Sequence, residues 1–558
     1  MTSSPTPPEP TPRLPERPAA GASMIWDLWG DGTRDAHLPR GARTIAKTLL
    51  KGTPRPVPRR DPASVVLSAS RLDDADLAAL AAAARGEAAI DTSDAVRVLH
   101  LGGKSTPDLL RRRRDDTAIA PDGVVRPESH DEVAAVLAVC GARGIAVVPF
   151  GGGTSVVGGL EPDAGPFRAV VSLDLSRTAA LLALDEVSLL ATFGAGTSGP
   201  QAEELLARHG LTLGHFPQSF EHASLGGFAA TRSSGQASRG YGRFDELVHA
   251  LRVATPAGTL ALGIAPASAA GPDLRQLILG SEGAFGVITE VTVRVRPVPA
   301  HTAYGAWTFP DFASGAAALR ELTQAGIRPT VLRLSDESET RVNAVMGGHL
   351  LRMTGALAVA TFEASIPREA ERVRGETDAV FVRHGAKPRG EDPARSWERG
   401  RFSAPVLRDS LMDIGVLAET LETATVWSSL QALKAAVTTA LEAALGARGT
   451  APIVMCHISH VYPAGASLYF TVVAALTDDP LAQWADAKAA ASRAIAAAGG
   501  TATHHHAVGR DHRSGMTAEI GALGIEVLRG VKRTLDPQGI MNPGVLMPPP
   551  ATETTTGP

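Results

Sequence analysis

Short apolar runs alternate with amphipathic stretches along the chain from Val124 to about Val298. The runs IAVVPF, RAVVSLDL and SLLATFGAG are short and rich in strand-forming residues, and this pattern predicts strands. The segment DEVAAVLAVCGARG repeats apolar residues at helical spacing and predicts an amphipathic helix. A longer strand is predicted over Val287–Val295, whose second half alternates apolar and polar residues. Strands interleaved with helices indicate an α+β or α/β domain.

A second mixed region follows. The segments FASGAAALRELTQAG and SSLQALKAAVTTALEAALG have helical patterns, whereas APIVMCHISHVY and SLYFTVVAAL are typical of strands. Before residue 116 the pattern is helical, with Asp73 or Asp74 as a candidate N-cap, and Asp536-Pro537 ends the last predicted helix. The expected divisions are 1–22, a disordered Pro-rich tail; 23–116, a helical region; 117–298, a ligand-binding domain; 299–500, a second α+β domain; 501–548, a C-terminal histidine loop and helix; and 549–558, a disordered tail.

Composition and charge exclude several classes of protein. The 558 residues include 54 Lys and Arg against 58 Asp and Glu, a formal net charge of −4, which does not indicate nucleic-acid binding. Cys140 and Cys456 support neither a disulfide framework nor a cysteine-based metal site. No stretch has the apolar core of a signal peptide or the length of a membrane span. We expect a cytoplasmic protein, leave peripheral membrane contact open, and interpret Arg111–Arg114 as a solvated turn.

Candidate chemistry starts with the glycine-rich segment Pro149–Ser155, PFGGGTS. Glycine clusters are favoured where the backbone needs positive φ or must approach a ligand closely. Backbone N–H groups and the Thr154 and Ser155 hydroxyls could form an anion-binding concavity at the end of a strand, although a glycine-rich surface turn has the same composition. Two more Gly/Ser/Thr-rich stretches, starting at Pro217 and at Gly280, favour an extended cofactor with a diphosphate and a planar ring.

A different glycine spacing, at Gly194, Gly196 and Gly199, matches the dinucleotide-binding fingerprint. It follows a predicted strand and precedes the helical segment PQAEELLARHG, as that fingerprint requires. Pro200 directly after the third glycine, and the richer loop upstream, argue against nicotinamide binding at this turn.

Taken together, PFGGGTSVVGG, SLGGFAATRSSG, YGRFDELV and GSEGAFGVITE resemble the FAD domain of the vanillyl-alcohol oxidase and p-cresol methylhydroxylase flavoproteins. The resemblance implies an α+β protein with a two-subdomain FAD-binding domain of vanillyl-alcohol oxidase type and an α+β cap, in which Gly194–Gly199 is only a strand-to-helix turn. It also implies noncovalent FAD, because the glycine loop has neither the His nor the Cys of covalent members. The residues expected to contact FAD are Pro149, Phe150, Gly151, Gly152, Gly153, Thr154, Ser155, Pro217, Gln218, Ser219, Ala223, Gly226, Gly227, Ala230, Thr231, Arg232, Ser233, Glu282, Gly283, Ala284, Phe285, Gly286, Val287 and Ile288.

Three adjacent histidines, His504, His505 and His506, form the second candidate feature. Consecutive side chains on a strand point to opposite faces, so one zinc ion could not readily take all three, and no metal ligand is predicted. A solvated polar loop and a proton-handling site are the remaining interpretations. The unperturbed imidazole pKa of about 6.5 favours the proton-handling site.

The segments HHHAVG, PAGASLYF, SAPVLRDS and TVLRLSDE are similar to the alkyldihydroxyacetonephosphate synthase family, and the similarity runs from about Trp26 to Pro543. By position, the resemblance implies that Tyr469 is the catalytic tyrosine, which moves a proton beside the substrate carbonyl. It implies that Arg408 interacts with the departing acyl group, that Arg333 is needed for activity, and that His504–His506 form the family's histidine loop. A phenol can relay a proton when nearby cations lower its pKa.

The family's reaction exchanges the acyl chain of acyl-dihydroxyacetonephosphate for a long-chain alcohol. The resemblance therefore implies an FAD-dependent transferase of ether-lipid synthesis that acts without net redox on lipid substrates, as a homodimer without a nucleic-acid partner. One alternative from the same superfamily is an FAD-dependent oxidase or dehydrogenase of a 2-hydroxy acid such as D-lactate or glycolate. A flavin-binding protein without turnover is another.

Overall fold

The computed structural model describes residues 23–32, 38, 55–114, 119–346 and 354–549. The expected disordered tails, 1–22 and 549–558, lie outside these residues apart from Pro549. Helices and four β-sheets make up the described part, and the α+β class is confirmed. None of the described helices is both long enough and apolar enough to cross a membrane.

The first half of the chain forms the sheets that carry the glycine-rich loops. Its strands are β1 (Ile90–Asp91), β2 (Gly123–Val125), β3 (Ile145–Phe150), β4 (Ala169–Asp174), β5 (Leu181–Asp185), β6 (Leu190–Gly194), β7 (Leu211–Thr212), β8 (Val248–Thr255), β9 (Gly258–Leu262), β10 (Val287–Arg294) and β11 (Arg296–Pro297). Its helices are α1 (Asp74–Ala83), α2 (Asp94–Arg97), α3 (Thr106–Arg113), α4 (His130–Arg143), α5 (Gly199–Ala207), α6 (Leu225–Ala230), α7 (Ser238–Tyr241), α8 (Phe244–Leu247) and α9 (Arg275–Ile278).

The second half forms one large sheet and the helices packed on it. Its strands are β12 (His301–Phe309), β13 (Val331–Ser335), β14 (Ala356–Ala364), β15 (Lys387–Pro388), β16 (Val416–Val426), β17 (Ile453–Ile458) and β18 (Gly465–Ala475). Its helices are α10 (Phe312–Gln324), α11 (Glu337–Met346), α12 (Pro367–Arg383), α13 (Asp392–Gly400), α14 (Ala404–Met412), α15 (Leu430–Ala447), α16 (Pro480–Ala497) and α17 (Arg513–Leu535).

Local sequence signals account for several of these boundaries. Asp73 is the N-cap of α1, and its side chain accepts a hydrogen bond from the N–H of Asp76 in a capping box. The last helix, α17, ends at Leu535, directly before Asp536-Pro537, as predicted. Gly521 interrupts that helix with a φ of 72°, a conformation that glycine adopts without a steric penalty.

Two sheets and one apolar core carry the glycine-rich loops. The first sheet has the order β1-β2-β4-β3, and its β2, β3 and β4 run parallel. The second has the order β5-β6-β10-β8-β9 and is antiparallel. Buried apolar side chains from both sheets form one continuous cluster. The loop after β3 is therefore anchored by a strand whose first four residues are buried.

The turn between β6 and α5 contains the dinucleotide-like glycine spacing. A Cβ atom on Gly194 would lie 1.8 Å from the carbonyl oxygen of Thr178, and one on Gly196 would lie 1.8 Å from that of Leu175. Both glycines are thus required by close backbone packing. Because β6 also lies in an antiparallel sheet, this segment is a strand-to-helix turn and not a dinucleotide-binding unit.

The large sheet has the order β15-β12-β14-β13-β17-β18-β16 and is antiparallel throughout. Helices α10, α12, α15 and α16 share its main apolar cluster. In its register Glu422 of β16 lies opposite Tyr469 of β18, and Tyr469 lies opposite His457 of β17. Residues directly opposite on neighbouring strands share one face of a sheet. Three polar side chains are thereby brought into one row.

Arg112 and Arg113 are buried at the end of α3, so the interpretation of Arg111–Arg114 as a solvated turn is wrong for these two residues, while Arg114 is exposed. Arg112 donates to the carbonyl oxygens of Trp26 at 2.6 Å and Gly103 at 2.8 Å, and Arg113 donates to Asp413 at 2.7 Å. Irregular backbone that is buried needs hydrogen-bond partners. Arg112 and Arg113 donate hydrogen bonds to backbone carbonyl oxygens of the segment 23–32, those of Trp26 and Asp27. Trp29 of the same segment lies in the wall of a large cavity.

Candidate active site

A cavity of about 570 Å³ lies between the glycine-rich loops and the seven-stranded sheet. The loops after β3 and before β10 line one end, together with the segment that starts at Pro217. Tyr469, His505, Arg333 and Arg408 also line it. The fold therefore brings the predicted cofactor loops and most of the predicted catalytic side chains to one space.

All but three of the residues expected to contact FAD lie in the wall of this cavity. The exceptions are Arg232, Ala284 and Phe285. The Arg232 guanidinium donates to Asp245 at 2.8 Å, whereas Ala284 and Phe285 are buried in the apolar core. Ala284 and Phe285 anchor the loop before β10 to that core.

The glycine loop after β3 has the properties of an anion-binding site. A Cβ atom on Gly152 would lie 1.8 Å from the carbonyl oxygen of His222, and one on Gly151 would lie 2.3 Å from Ser224 Oγ. Within the described part of the chain, the backbone N–H groups of residues 152–155 donate no hydrogen bond. Free N–H groups on a loop this tightly packed fit the diphosphate of FAD.

Two glutamines offer polar groups to a planar ring. Gln218 and Gln236 line the cavity, and the buried Gln218 Nε2 and Gln236 Oε1 have no hydrogen-bond partner among the described residues. A buried polar atom without a partner costs free energy, so such atoms are expected to meet a ligand or water. One donor and one acceptor suit the polar edge of a flavin ring.

Tyr469 lies on β18, between β17 and β16 of the large sheet, with imidazoles on more than one side. Its ring stacks on His457 with centroids 4.8 Å apart and meets His506 edge-on at 5.5 Å. Burial raises the pKa of Tyr469 to about 12, against the opposing effects of Thr420 and Arg333. The cation Arg333 does lower this pKa, but desolvation outweighs it, so the net pKa is raised rather than lowered. The phenol keeps its proton at neutral pH and can donate it.

The three histidines lie on an irregular segment, residues 503–509, which we call the histidine segment. The N–H groups of His504, His505 and His506 donate to Glu422 Oε1 at 2.9, 3.0 and 2.9 Å, and the Thr503 hydroxyl donates to the same atom at 2.6 Å. Burial opposes the charge of Glu422, but the three imidazoles and Thr503 hold its pKa well below the usual range. The segment is thus organised around one buried carboxylate.

The histidine side chains point to different places. His505 and His506 line the cavity, and His504 is not among the lining residues. His504 Nε2 lies 2.8 Å from the Tyr462 hydroxyl and 3.1 Å from Arg243 Nη1, and its Nδ1 lies 3.0 Å from His505 Nδ1. Burial lowers the pKa of all three imidazoles. The charge of Glu422 opposes this lowering in each case.

A fourth histidine, His460, joins His504 and His505 in a group whose candidate ligand atoms lie within 4.8 Å of one another. Two observations count against a cation there. His460 Nε2 is 3.2 Å from the carbonyl oxygen of Gly235, and the Arg243 guanidinium adjoins His504. These nitrogens already have protein partners, and the positive charge beside them repels a metal ion.

The two predicted arginines also reach the cavity. Arg333 Nη2 donates to Glu339 at 2.6 Å and lies 2.9 Å from His457 Nδ1. Arg408 Nη1 donates to the carbonyl oxygen of Lys104 at 2.6 Å. Its Nη2 lies 2.8 Å from Asp409 Oδ1 but makes no aligned hydrogen bond within the described residues. That N–H group can meet an anionic ligand.

Part of the cavity wall is apolar. Its apolar side chains come from α11, α14 and strands β16, β17 and β18 of the large sheet. They are Val342, Met346, Leu407, Leu411, Val416, Ile453, Met455 and Val473. Helix α11 ends at Met346, and residues 347–353, where the chain continues, are outside the described part. An apolar surface beside polar groups suits a ligand with a charged head and a hydrocarbon chain.

Sequence reasoning missed Glu422, Glu419, His457 and His460. Two glutamates inside the otherwise apolar strand LAETLETATV are a signal, because strand interiors seldom bury carboxylates without partners. The hydrogen-bond donors to Glu422 lie about 80 residues further along the chain, however. The presence of glutamates in this strand would therefore not have connected Glu422 to the histidines.

Two family models match the chain: the FAD binding domain over residues 121–262 and the FAD linked oxidases, C-terminal domain, over residues 298–546. The chain is 33% identical over 487 residues to alkyldihydroxyacetonephosphate synthase of Trypanosoma brucei brucei, covering 82% of this chain and 78% of the relative. A mitochondrial cytochrome-linked D-lactate dehydrogenase of Arabidopsis thaliana is more distant, 28% identical with 77% and 74% covered.

Solved structures give the same relationship. A structure of alkyldihydroxyacetonephosphate synthase matches with a TM-score of 0.81 and 28% identity, covering 94% of this chain and 99% of that one. p-Cresol methylhydroxylase, 14% identical, shares the fold with a TM-score of 0.65, covering 84% and 96%. The glycine-lined end of the cavity, the row of Glu422, Tyr469 and His457 and these similarities agree, and the chain belongs to the alkyldihydroxyacetonephosphate synthase family of FAD-dependent enzymes.

Proposed function

We propose that this protein exchanges the acyl chain of acyl-dihydroxyacetonephosphate for a long-chain alcohol, releasing a fatty acid. The observation that carries the proposal is the single cavity that joins a glycine-lined cofactor end, a buried proton-handling row and an apolar surface. A small 2-hydroxy acid would leave the apolar surface unused.

Four side chains that line the cavity would take different roles in this reaction. Arg408, with its free N–H group, would pair with the anionic or carbonyl oxygens of the substrate. Tyr469 would donate or take back a proton at the carbon beside the substrate carbonyl. His505 and His506 would accept that proton and return it. The adjacent charge of Glu422 favours the proton on these imidazoles, whereas burial disfavours it.

FAD would be held by the glycine loop through its diphosphate, with Gln218 and Gln236 beside its ring. Bound FAD supplies a ring that activates the substrate carbon, and the exchange involves no net redox change. The glycine loop itself contains neither His nor Cys, so we propose that FAD is noncovalent. Acid precipitation of the yellow protein should release the colour into the supernatant, and a yellow pellet would refute this.

The proposal is tested by mixing the FAD-loaded protein anaerobically with acyl-dihydroxyacetonephosphate and a labelled long-chain alcohol. We expect label in an alkyl ether product and release of one fatty acid per product. A parallel sample receives D-lactate. Bleaching of the flavin by D-lactate, with no ether formed in the first sample, would replace the transferase by a hydroxy-acid dehydrogenase.

Two finer proposals concern assembly. We propose that the protein is a homodimer, as the family resemblance implies. Analytical ultracentrifugation tests this, and a monomer would contradict it.

We also propose that the protein contacts membranes peripherally, because its substrates carry long hydrocarbon chains. Co-flotation with liposomes tests this, and a protein that stays in the aqueous fraction would contradict it.

A further inference from the structure

The histidine segment is bound at both ends by buried glutamates from different halves of the chain. At one end, Glu422 of β16 accepts four hydrogen bonds on Oε1, and its Oε2 accepts a further one from the N–H of His504 at 2.7 Å. Oε2 also lies 3.6 Å from His505 Nδ1. This one side chain contacts all three histidine residues through their backbone.

At the other end, Glu282 reaches the segment from the loop before β10. Its Oε2 accepts from the N–H of Val508 at 3.0 Å, and its Oε1 accepts from the N–H of Gly509 at 2.8 Å. The backbone φ of Glu282 is 52°, a left-handed conformation that non-glycine residues adopt at a cost of roughly 1 kcal/mol or more. The Asn542 side chain donates to its carbonyl oxygen at 2.7 Å and helps to retain that conformation.

We propose that Glu422 and Glu282 are positioning residues for the proposed exchange reaction. Together they hold the histidine segment across the cavity, so that His505 and His506 face Tyr469, whose ring lies 6.0 and 5.5 Å from theirs. The inference rests on the proposed function, in which those imidazoles move protons.

The charge of Glu422 has a second effect. Hydrogen bonds to an ionised acceptor are stronger than those to a neutral one, and the negative charge favours a proton on the adjacent imidazoles. The other charged and titratable groups facing these imidazoles are Glu419, Arg243, Lys488, His460, Tyr462 and Tyr469. Within the described part of the chain, Glu282 accepts hydrogen bonds in this segment from backbone N–H groups, so it acts by holding the backbone.

The first test is hydrogen–deuterium exchange of the FAD-loaded protein, followed by mass spectrometry of peptides covering 503–509. Glu422→Gln keeps the size of the side chain and removes its charge, and we expect amides 504–506 to exchange about tenfold faster. Glu282→Gln should accelerate 508–509 instead. The control is Glu203→Gln, because Glu203 also accepts from a threonine hydroxyl and a backbone N–H, those of Thr212 and Gly214, which lie outside the segment.

The second test is steady-state kinetics with acyl-dihydroxyacetonephosphate and a long-chain alcohol. For Glu422→Gln we expect kcat to fall about tenfold or more at a nearly unchanged KM, with FAD content retained and the pH optimum displaced. Glu422→Asp keeps the charge and should recover part of kcat. Glu203→Gln should resemble the wild type.

The outcomes separate the two proposals. Unchanged exchange at 504–506 and 508–509 in the variants would overturn the positioning role even if the enzyme makes ether lipid. A uniform rise in exchange, with equal loss of FAD in the Gln and Asp variants, would also overturn it in favour of a general structural role. If the wild type makes no ether product, the proposed function fails, while the exchange experiment still tests whether the two carboxylates hold the segment.

Discussion

The two ends of the cavity are built from different chemical groups. The glycine-lined end presents backbone: Gly151 and Gly152 pack so closely on residues 222–224 that no side chain fits between them. The other end presents half-buried side chains: burial raises the pKa of Tyr469 and lowers that of His505, and Arg333 is paired with Glu339. Ligand binding at the glycine-lined end therefore depends on the absence of side chains from the loop. Chemistry at the other end depends on the protonation states and hydrogen bonds of the side chains.

The largest effect is expected from filling the glycine end. Gly152→Val should abolish FAD binding, because its Cβ atom would overlap the carbonyl oxygen of His222 and displace the loop. Absorbance of the purified protein near the flavin bands measures this. The control is Gly375→Val, whose Cβ would meet nothing within 4 Å. A yellow Gly152→Val protein with normal FAD content would show that the loop does not hold the cofactor.

The next effect is at the proton-handling end. Tyr469→Phe keeps the ring packing and removes the hydroxyl, so we expect FAD binding to persist while turnover falls by about 10²-fold or more. Tyr304→Phe in β12, where the hydroxyl donates to Glu398 at 2.7 Å, is the matched control and should retain turnover. Near-normal alkyl exchange by Tyr469→Phe would contradict the assigned proton transfer.

A smaller effect is expected for Arg408→Lys. The ammonium keeps the charge but cannot make planar paired hydrogen bonds, so we expect kcat/KM to fall about tenfold. Lys also cannot reach both the Lys104 carbonyl oxygen and Asp409 as the guanidinium does. Arg372→Lys on an exposed helix provides the control. Equal kcat/KM values for Arg408→Lys and the wild type would remove Arg408 from substrate binding.

The smallest effect concerns stability at the glycine end. Burial lowers the pKa of His215 to about 3, so below about pH 6.5 the unfolded chain takes up a proton that the folded chain does not. Its contribution to stability is therefore present above pH 6.5 and is lost as the pH falls. We expect Tm to decrease between pH 7.5 and 5, and less steeply in His215→Gln than in the wild type.

The control for this pH series is His301→Gln at an exposed position. It should follow the wild-type dependence of Tm on pH, because the substitution is made at the surface and leaves His215 in place. An identical slope for His215→Gln and the wild type would mean that His215 takes up its proton without unfolding.

The sequence by itself determined the features that depend on local backbone chemistry. The strand Ile145–Phe150 has the predicted bounds, Asp73 is the N-cap of α1, and the glycine loops lie at the cavity. Alternation, capping residues and glycine clusters act within a few residues, so they can be read along the chain. The family resemblance added the FAD cofactor and the candidate roles of Tyr469 and Arg408, and those roles remain proposals.

Only the tertiary structure decided which side chains surround these residues. Strand pairing across the large sheet places Glu422 and His457 beside Tyr469, and chain folding brings Glu282 to Gly509, 227 residues away. Burial then reversed two expectations: it raised the pKa of Tyr469 and enclosed Arg112 and Arg113. Desolvation depends on everything packed around a group, and for that reason no local pattern in the sequence could predict it.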